Sequence, residues 1–279
     1  MRLGWLGLAL LIPSAAGAEP SLPHGEPVRI TSDTVPSPYA LIAGTLPYSS
    51  EYAQVPWFPE SLEFEVKWGV FSMGFATMES KRIVDFGGQP AFEIVSTARS
   101  NRFADSFYQV RDINESWIRA RDLSSLGYSK KLREGKFFRD EWVLFDYGRK
   151  SFLSKRVNRD GSFSHSAGDI PGTVQDILSS MYYIRPRRLE VGDEITLDVN
   201  TKENWPLVIK VLRKATVQVP AGRFRTVVVE PFLRKEGIFI QKGKRMRVWV
   251  TDDERHIPVL LKVEIVFGHI SAYLTKIDR

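Results

Sequence analysis

The densest polar stretch of the chain is TDDERHIP, residues 251–258, where Asp252, Asp253, Glu254 and His256 fall almost side by side. Oxygen-rich groups of this kind suit a hard cation. The same residues also make a β-turn between two strands, because Asp side chains bond nearby backbone N–H groups. The histidines, His24, His165, His256 and His269, show no H-E-x-x-H or comparable metal spacing. The chain has no cysteine, which removes a thiol nucleophile and any disulfide. There is no G-x-S-x-G elbow for a serine nucleophile and no glycine-rich phosphate loop. Glu63 and Glu65 share one strand face, yet glycoside hydrolysis needs two carboxylates facing each other across a cleft. An exposed polar stripe explains them better. No metal, cofactor or catalytic residue is therefore expected.

A second group of candidates lies in DIPGTVQDILSSMYYIRP, residues 169–186, which reads as a helix in a chain that otherwise reads as strand. Thr173 is the expected N-cap, with Asp176 three residues on in a capping-box-like arrangement, and Pro186 ends the helix. Val174, Ile177, Leu178, Met181, Tyr182 and Arg185 recur at helical spacing and form one apolar stripe. About twelve residues alone in water are marginal as a helix, so the stripe must lie on a sheet. Either the helix plugs the end of a barrel or sandwich and completes the core, or it lids an apolar trough. In the second case Tyr182 or Tyr183 could set a hydroxyl beside a lipid headgroup. The helix dipole alone justifies Asp176 in the first turn and Arg185 in the last. Asp176, Tyr182, Arg185 and the strand residue Trp249 form the candidate binding set.

The elements that must position these residues are strands. In LEFEVKWGV, Leu62, Phe64, Val66, Trp68 and Val70 fall on one face and Glu63, Glu65 and Lys67 on the other, the period of a half-buried antiparallel strand. Ile257, Val259, Leu261, Val263 and Ile265 alternate in the same way near the end. Turn signals stand at GGQP, Gly135, Gly148, Gly192-Asp193 and Pro220-Ala221-Gly222. NRDGSFSHSAGD reads as a polar loop. The spacing predicts an all-β, mainly antiparallel fold of about twelve strands, a curved sheet or open barrel or sandwich with one short amphipathic helix.

Residues 1–18, MRLGWLGLALLIPSAAGA, carry a basic start, a short apolar run and an A-x-A site, and read as a secretory signal peptide. Residues 19–59 are proline-rich and read as a mostly extended linker that becomes ordered near Val55-Pro56-Trp57. Residues 60–279 form a single β-rich domain. No later apolar run is long enough to span a bilayer, and no lipobox cysteine follows the expected cut, so the product is expected to be soluble and periplasmic. The net charge of +6 is spread along the chain. Its densest spots are Lys130-Lys131-Arg133, Arg185-Arg187-Arg188 and Lys242-Lys244-Arg245-Arg247. These are solvated faces between strands or attract anionic lipid headgroups or envelope polysaccharide; the compartment argues against nucleic acid.

The order of Val174-Gln175-Asp176, Pro220-Ala221-Gly222-Arg223-Phe224, Trp249 with Thr251-Asp252-Asp253, and Ile257-Pro258 resembles the DUF3108 family of exported bacterial proteins. FEVKWGVFSMGFATM is similar to the first hairpin of that family. The resemblance covers about residues 61–278 and implies a β-rich envelope protein of unassigned biochemical function, with no catalytic residues to carry over. The expected function is a non-enzymatic envelope protein that binds an apolar or lipid-like ligand or an envelope partner. The alternatives are an envelope hydrolase acting on polysaccharide and a structural module that docks through an edge strand.

Overall fold

The computed structural model describes residues 35–233, 245–265 and 268–279. The signal peptide reading, the start of the proline-rich segment, Lys242 and Lys244 lie outside the described residues. The first half of the chain is a meander of β2 (Glu60–Trp68), β3 (Phe71–Phe86), β4 (Gln89–Ser100), β5 (Arg111–Arg119), β6 (Ser125–Glu134), β7 (Phe137–Asp146), β8 (Ser151–Val157) and β9 (Phe163–Asp169). A helix, α2 (Ile177–Ile184), then carries the chain to the opposite edge. There β10 (Glu194–Asn200), β11 (Asn204–Val219), β12 (Gly222–Leu233), β13 (Met246–Thr251), β14 (Pro258–Glu264) and β15 (His269–Asp278) run back until β15 pairs with β2. A short α1 (Arg102–Asp105), capped by Asn101, joins β4 to β5. All strand pairings are antiparallel, in one fifteen-stranded curved sheet whose edges are β9 and β10.

Those two edges are consecutive in the chain, and the segment between them spans the gap. Ser125 N donates to Val174 O at 3.1 Å, Gln175 N to Asp198 O at 2.8 Å and Asn200 N to Gln175 O at 2.8 Å. The side chain of Asn204 donates to Asp169 O at 2.6 Å. The sheet is not closed by strand pairing, but polar contacts hold its edges together.

From Val35 onward, the segment read as a linker lies on the sheet. A 3-10 turn (Pro38–Leu41) leads into β1 (Ile42–Leu46), which pairs with β3. This segment covers a small apolar cluster of Val84, Phe86, Trp117 and Leu126 on the convex side. Farther on, Trp57 is fully buried, its indole N–H donating to Tyr182 O at 2.9 Å. Among the described residues fifteen strands stand where the turn spacing predicts about twelve, and one added strand, β9, comes from the stretch read as a polar loop. Its period-2 signal is hidden because Ser164, Ser166 and Gly168 alternate with Phe163, His165 and Ala167, so neither face is uniformly apolar.

The inner face of the sheet is divided. From β10 through β15 to β4 it is apolar, with Leu197, Ile209, Val229, Val248, Leu261, Ala272, Phe64, Met78 and Ile94 all buried. From β5 to β9 it carries a small apolar group, Tyr128, Val143, Phe145 and Phe152, and beyond that serines and charges. Gly74 of β3 is one place where only glycine fits. A Cβ there would stand 2.1 Å from the carbonyl oxygen of Arg99 on β4, so the close approach of the two strands depends on its absence.

Candidate functional site

The helix starts three residues later than the expected Thr173 cap. Asp176 is the N-cap, accepting from Leu178 N and Ser179 N, while the Ser179 hydroxyl accepts from Asp176 N in a reciprocal capping box. The residues before it are taken up by pairing with Ser125 and β10, which holds 174–175 extended and delays the first turn. The second carboxylate oxygen of Asp176 accepts from Ser116 Oγ at 2.6 Å and Ser125 Oγ at 2.7 Å. The carboxylate is thus bonded to four protein donors and ties α2 to β5 and β6.

The apolar stripe lies on the sheet. Leu178 and Tyr182 pack toward Trp57, whose ring stands 5.1 Å from Tyr182 and 5.0 Å from Phe92, both edge-on. Ile177, Met181 and Ile184 face β11, β12 and β13 across a narrow groove, partly open to solvent, lined also by Ile209, Val229 and Val248. Arg185 closes one end of it. Its guanidinium makes a two-pronged pair with Glu60 at 2.6 and 2.9 Å, both side chains 1 % exposed, and its Nε donates to Arg255 O at 3.1 Å. Planar two-point pairing of this kind is the strongest geometry available to a buried carboxylate. The Arg185 carbonyl meets His256 Nδ1 at 2.8 Å. His256 has φ of 43°, left-handed backbone that non-glycine residues rarely adopt, and it sits at the end of the connection between β13 and β14.

In that connection Asp253 organises the turn. It accepts from the Thr251 hydroxyl at 2.6 Å and from Arg255 N at 3.1 Å, and pairs with the Arg255 guanidinium at 2.7 Å. Hydrogen bonds from Thr251 and Arg255 hold its carboxyl below the usual range, more than offsetting burial, which acts the other way. No group of acidic residues or histidines among the described residues converges on a metal position.

Three of the four candidate binding residues, Asp176, Tyr182 and Arg185, meet on or at the ends of α2. Trp249 does not join them. It alternates with Val248 and Val250 and faces outward, into a shallow pocket with Arg247, Lys262 and Tyr273. Glu60, Trp57, Ser116, Ser125 and His256, which fix α2 in place, were not legible as a group. They lie far apart in the chain, and no spacing pattern marks a partner that only the fold brings near.

Among curated proteins none matches the chain. Solved structures with similar folds include a β-barrel-like protein of the DUF1849 domain from Brucella abortus, 9 % identical, covering 79 % of this chain and 97 % of that one at a TM-score of 0.51. At that identity the likeness is one of fold. Weaker likenesses, both 6 % identical, are to an exported Bacteroides fragilis protein with a YmcC-like fold (82 % and 99 % covered, TM-score 0.36) and a Parabacteroides distasonis lipoprotein (80 % and 97 % covered, TM-score 0.34). No described helix is long and apolar enough to cross a membrane. Residues 63–275 match the family described as "Protein of unknown function (DUF3108)", and the chain, whose inner sheet face and helical lid fall within that span, belongs to the DUF3108 family.

Proposed function

We propose that the protein is an exported, periplasmic binding protein of the cell envelope, not an enzyme, and that it holds an apolar, lipid-like chain between α2 and β11–β13. Export rests on the signal-like residues 1–18. The observation that carries the binding reading is the chemistry of the groove wall. Its polar members are already engaged by the protein: Ser180 Oγ donates to Ile177 O at 2.7 Å, Arg185 is paired with Glu60, and His256 is bonded to the Arg185 carbonyl. What the wall presents to an occupant is aliphatic surface, which favours a hydrocarbon chain and offers no group to react with it. Arg185 then marks the polar end of the groove, and Tyr182 supports the helix from behind.

Native mass spectrometry of protein purified from periplasm tests this directly. The wild type is expected to retain a co-purifying lipid and to bind a fluorescent fatty-acid probe. Val248→Trp and Met181→Trp, which fill the groove from opposite walls, are expected to lose both while keeping the wild-type circular dichroism. A wild type that carries no lipid and fails to bind the probe would overturn the reading. Release of sugars from envelope glycans by the purified protein would replace it with a hydrolase.

A further inference from the structure

The inner face of β5–β9 holds a second constellation, separate from the groove under α2. Strand register sets its side chains in rows. One row crosses Ser116, Tyr128, Val143, Ser154 and Ser166. The next crosses Asn114, Lys130, Glu141, Arg156 and Ser164. One step further along, Arg139 stands opposite Leu132. From the tip of the β10–β11 hairpin Lys202 reaches across to Glu141 at 2.7 Å, and Arg156 pairs with the same carboxylate oxygen at 3.0 Å. The Lys130 ammonium lies 4.8 Å from the centre of the Tyr128 ring.

Charge and hydrogen bonding are both out of balance here. Four cations, Lys130, Arg139, Arg156 and Lys202, surround one carboxylate, Glu141, which is 5 % exposed. Asp176, the next nearest acid, is bonded to four other donors. Asp112 and Glu134 lie toward the far strand ends. Burial, and for Glu134 the neighbouring Asp112, raises both carboxyls toward their neutral forms. Two donors of the rows are buried without a partner: the Asn114 side-chain N–H₂, on a residue 4 % exposed, and the Tyr128 hydroxyl, on a residue 2 % exposed. A buried donor left unbonded is costly, and such groups normally have a partner. Arg156 and Lys202 keep part of their side chains in solvent, so the cluster has a solvent-facing margin at these two cations.

We infer that this trough is a binding site for an oxyanion, a phosphate or phosphoryl group, taken by Lys130, Arg156 and Lys202 together with the Asn114 amide and the Tyr128 hydroxyl. An acceptor-only anion supplies what both unpartnered donors lack and offsets the excess positive charge. Burial, with Arg139 and Lys202 adding to it, pushes the Lys130 ammonium down to about 8 against the pull of Glu141 and Asp176; a bound anion beside it favours the charged form and raises it again. The source is either a free anion or the headgroup of an envelope lipid, and the chemistry of the site is common to the two.

The test titrates the full mature protein with inorganic phosphate at constant ionic strength, reading the Asn114 side-chain amide by NMR and the melting temperature. A parallel titration uses dihexanoyl phosphatidylglycerol below its micelle concentration. A saturable shift of the Asn114 amide with either probe is expected, with a rise in melting temperature. Phosphate alone acting identifies a free anion, and the lipid alone acting identifies a headgroup. Lys130→Met and Asn114→Leu are each expected to weaken the binding about tenfold or more, as loss of a charge-assisted hydrogen bond does. No saturable shift with either probe in the wild type overturns the inference whether or not the variants fold, and so does binding that both variants leave unchanged.

Discussion

At the residue scale, the pair between Arg185 and Glu60 shows how one buried contact links the two halves of the chain. Both ions have left water almost completely, so the attraction between them is offset by desolvation and the pair adds little net stability. Breaking it is another matter, since one charge then stays buried alone. Glu60→Gln is expected to lower unfolding stability by about 3–5 kcal/mol, while the double change Glu60→Met with Arg185→Met recovers most of that loss. Urea unfolding of the three variants checks the pattern. Asp176 is the second such residue. Asp176→Ala removes the helix cap and leaves the Ser116 and Ser125 hydroxyls unmet, and is expected to cost about 2 kcal/mol or more by the same measurement.

At the element scale, the helix was legible and its first turn was not. The stripe from Ile177 to Arg185 and the stop at Pro186 are local properties of 3.6-residue periodicity. The cap moved from Thr173 to Asp176 because the chain between them pairs with Ser125 and β10, contacts separated by dozens of residues. Strand β9 was missed for a related reason. Alternation is readable only where one face is apolar, and in 163–169 neither face carries a run of apolar residues. The two glycines that flank the turn from β2 to β3 act differently. Gly69 turns the chain with φ of 57°, and Gly74 lets β4 pass close by. Gly74→Ala is therefore expected to push β3 and β4 apart and to destabilise the fold by about 1–3 kcal/mol, the usual range for overpacking, visible as a lower thermal midpoint and as faster amide exchange in these two strands.

At the scale of the whole molecule, the divided inner face sets the response to pH. Burial alone would raise the Glu141 carboxyl, but Lys202, Lys130 and Arg156 outweigh it and hold it at about 2. A carboxyl held low in the folded state contributes stability that is present above its unfolded value, near about 4.3, and is lost as pH falls toward 2. Unfolding midpoints measured from pH 5 to pH 2 are expected to fall less steeply in Glu141→Gln than in the wild type. The Asp112–Glu134 pair has the opposite sign. Its carboxyls are raised, so the folded state binds protons more tightly, and the contribution is present at acid pH and lost as pH rises through the folded values. Glu134→Gln is expected to flatten the stability curve measured from about pH 5 to pH 8, where these carboxyls titrate in the folded state.

The sequence by itself determined the class of the fold. Period-2 alternation, recurrent turn residues and one helical stripe are written into neighbouring residues, and they are what the strands and α2 are made of. It also carried the order of motifs that places the chain in its family. Only the tertiary structure decided which residues share a wall. Lys130 reads in the chain as part of a basic surface run with Lys131 and Arg133, yet the pleat turns it inward while its neighbours point out. Glu60 meets Arg185 across 125 positions of chain. Such partners follow from sheet register and from the path that returns β15 to β2, and those are set by the sum of many weak long-range contacts, which no short window of sequence contains.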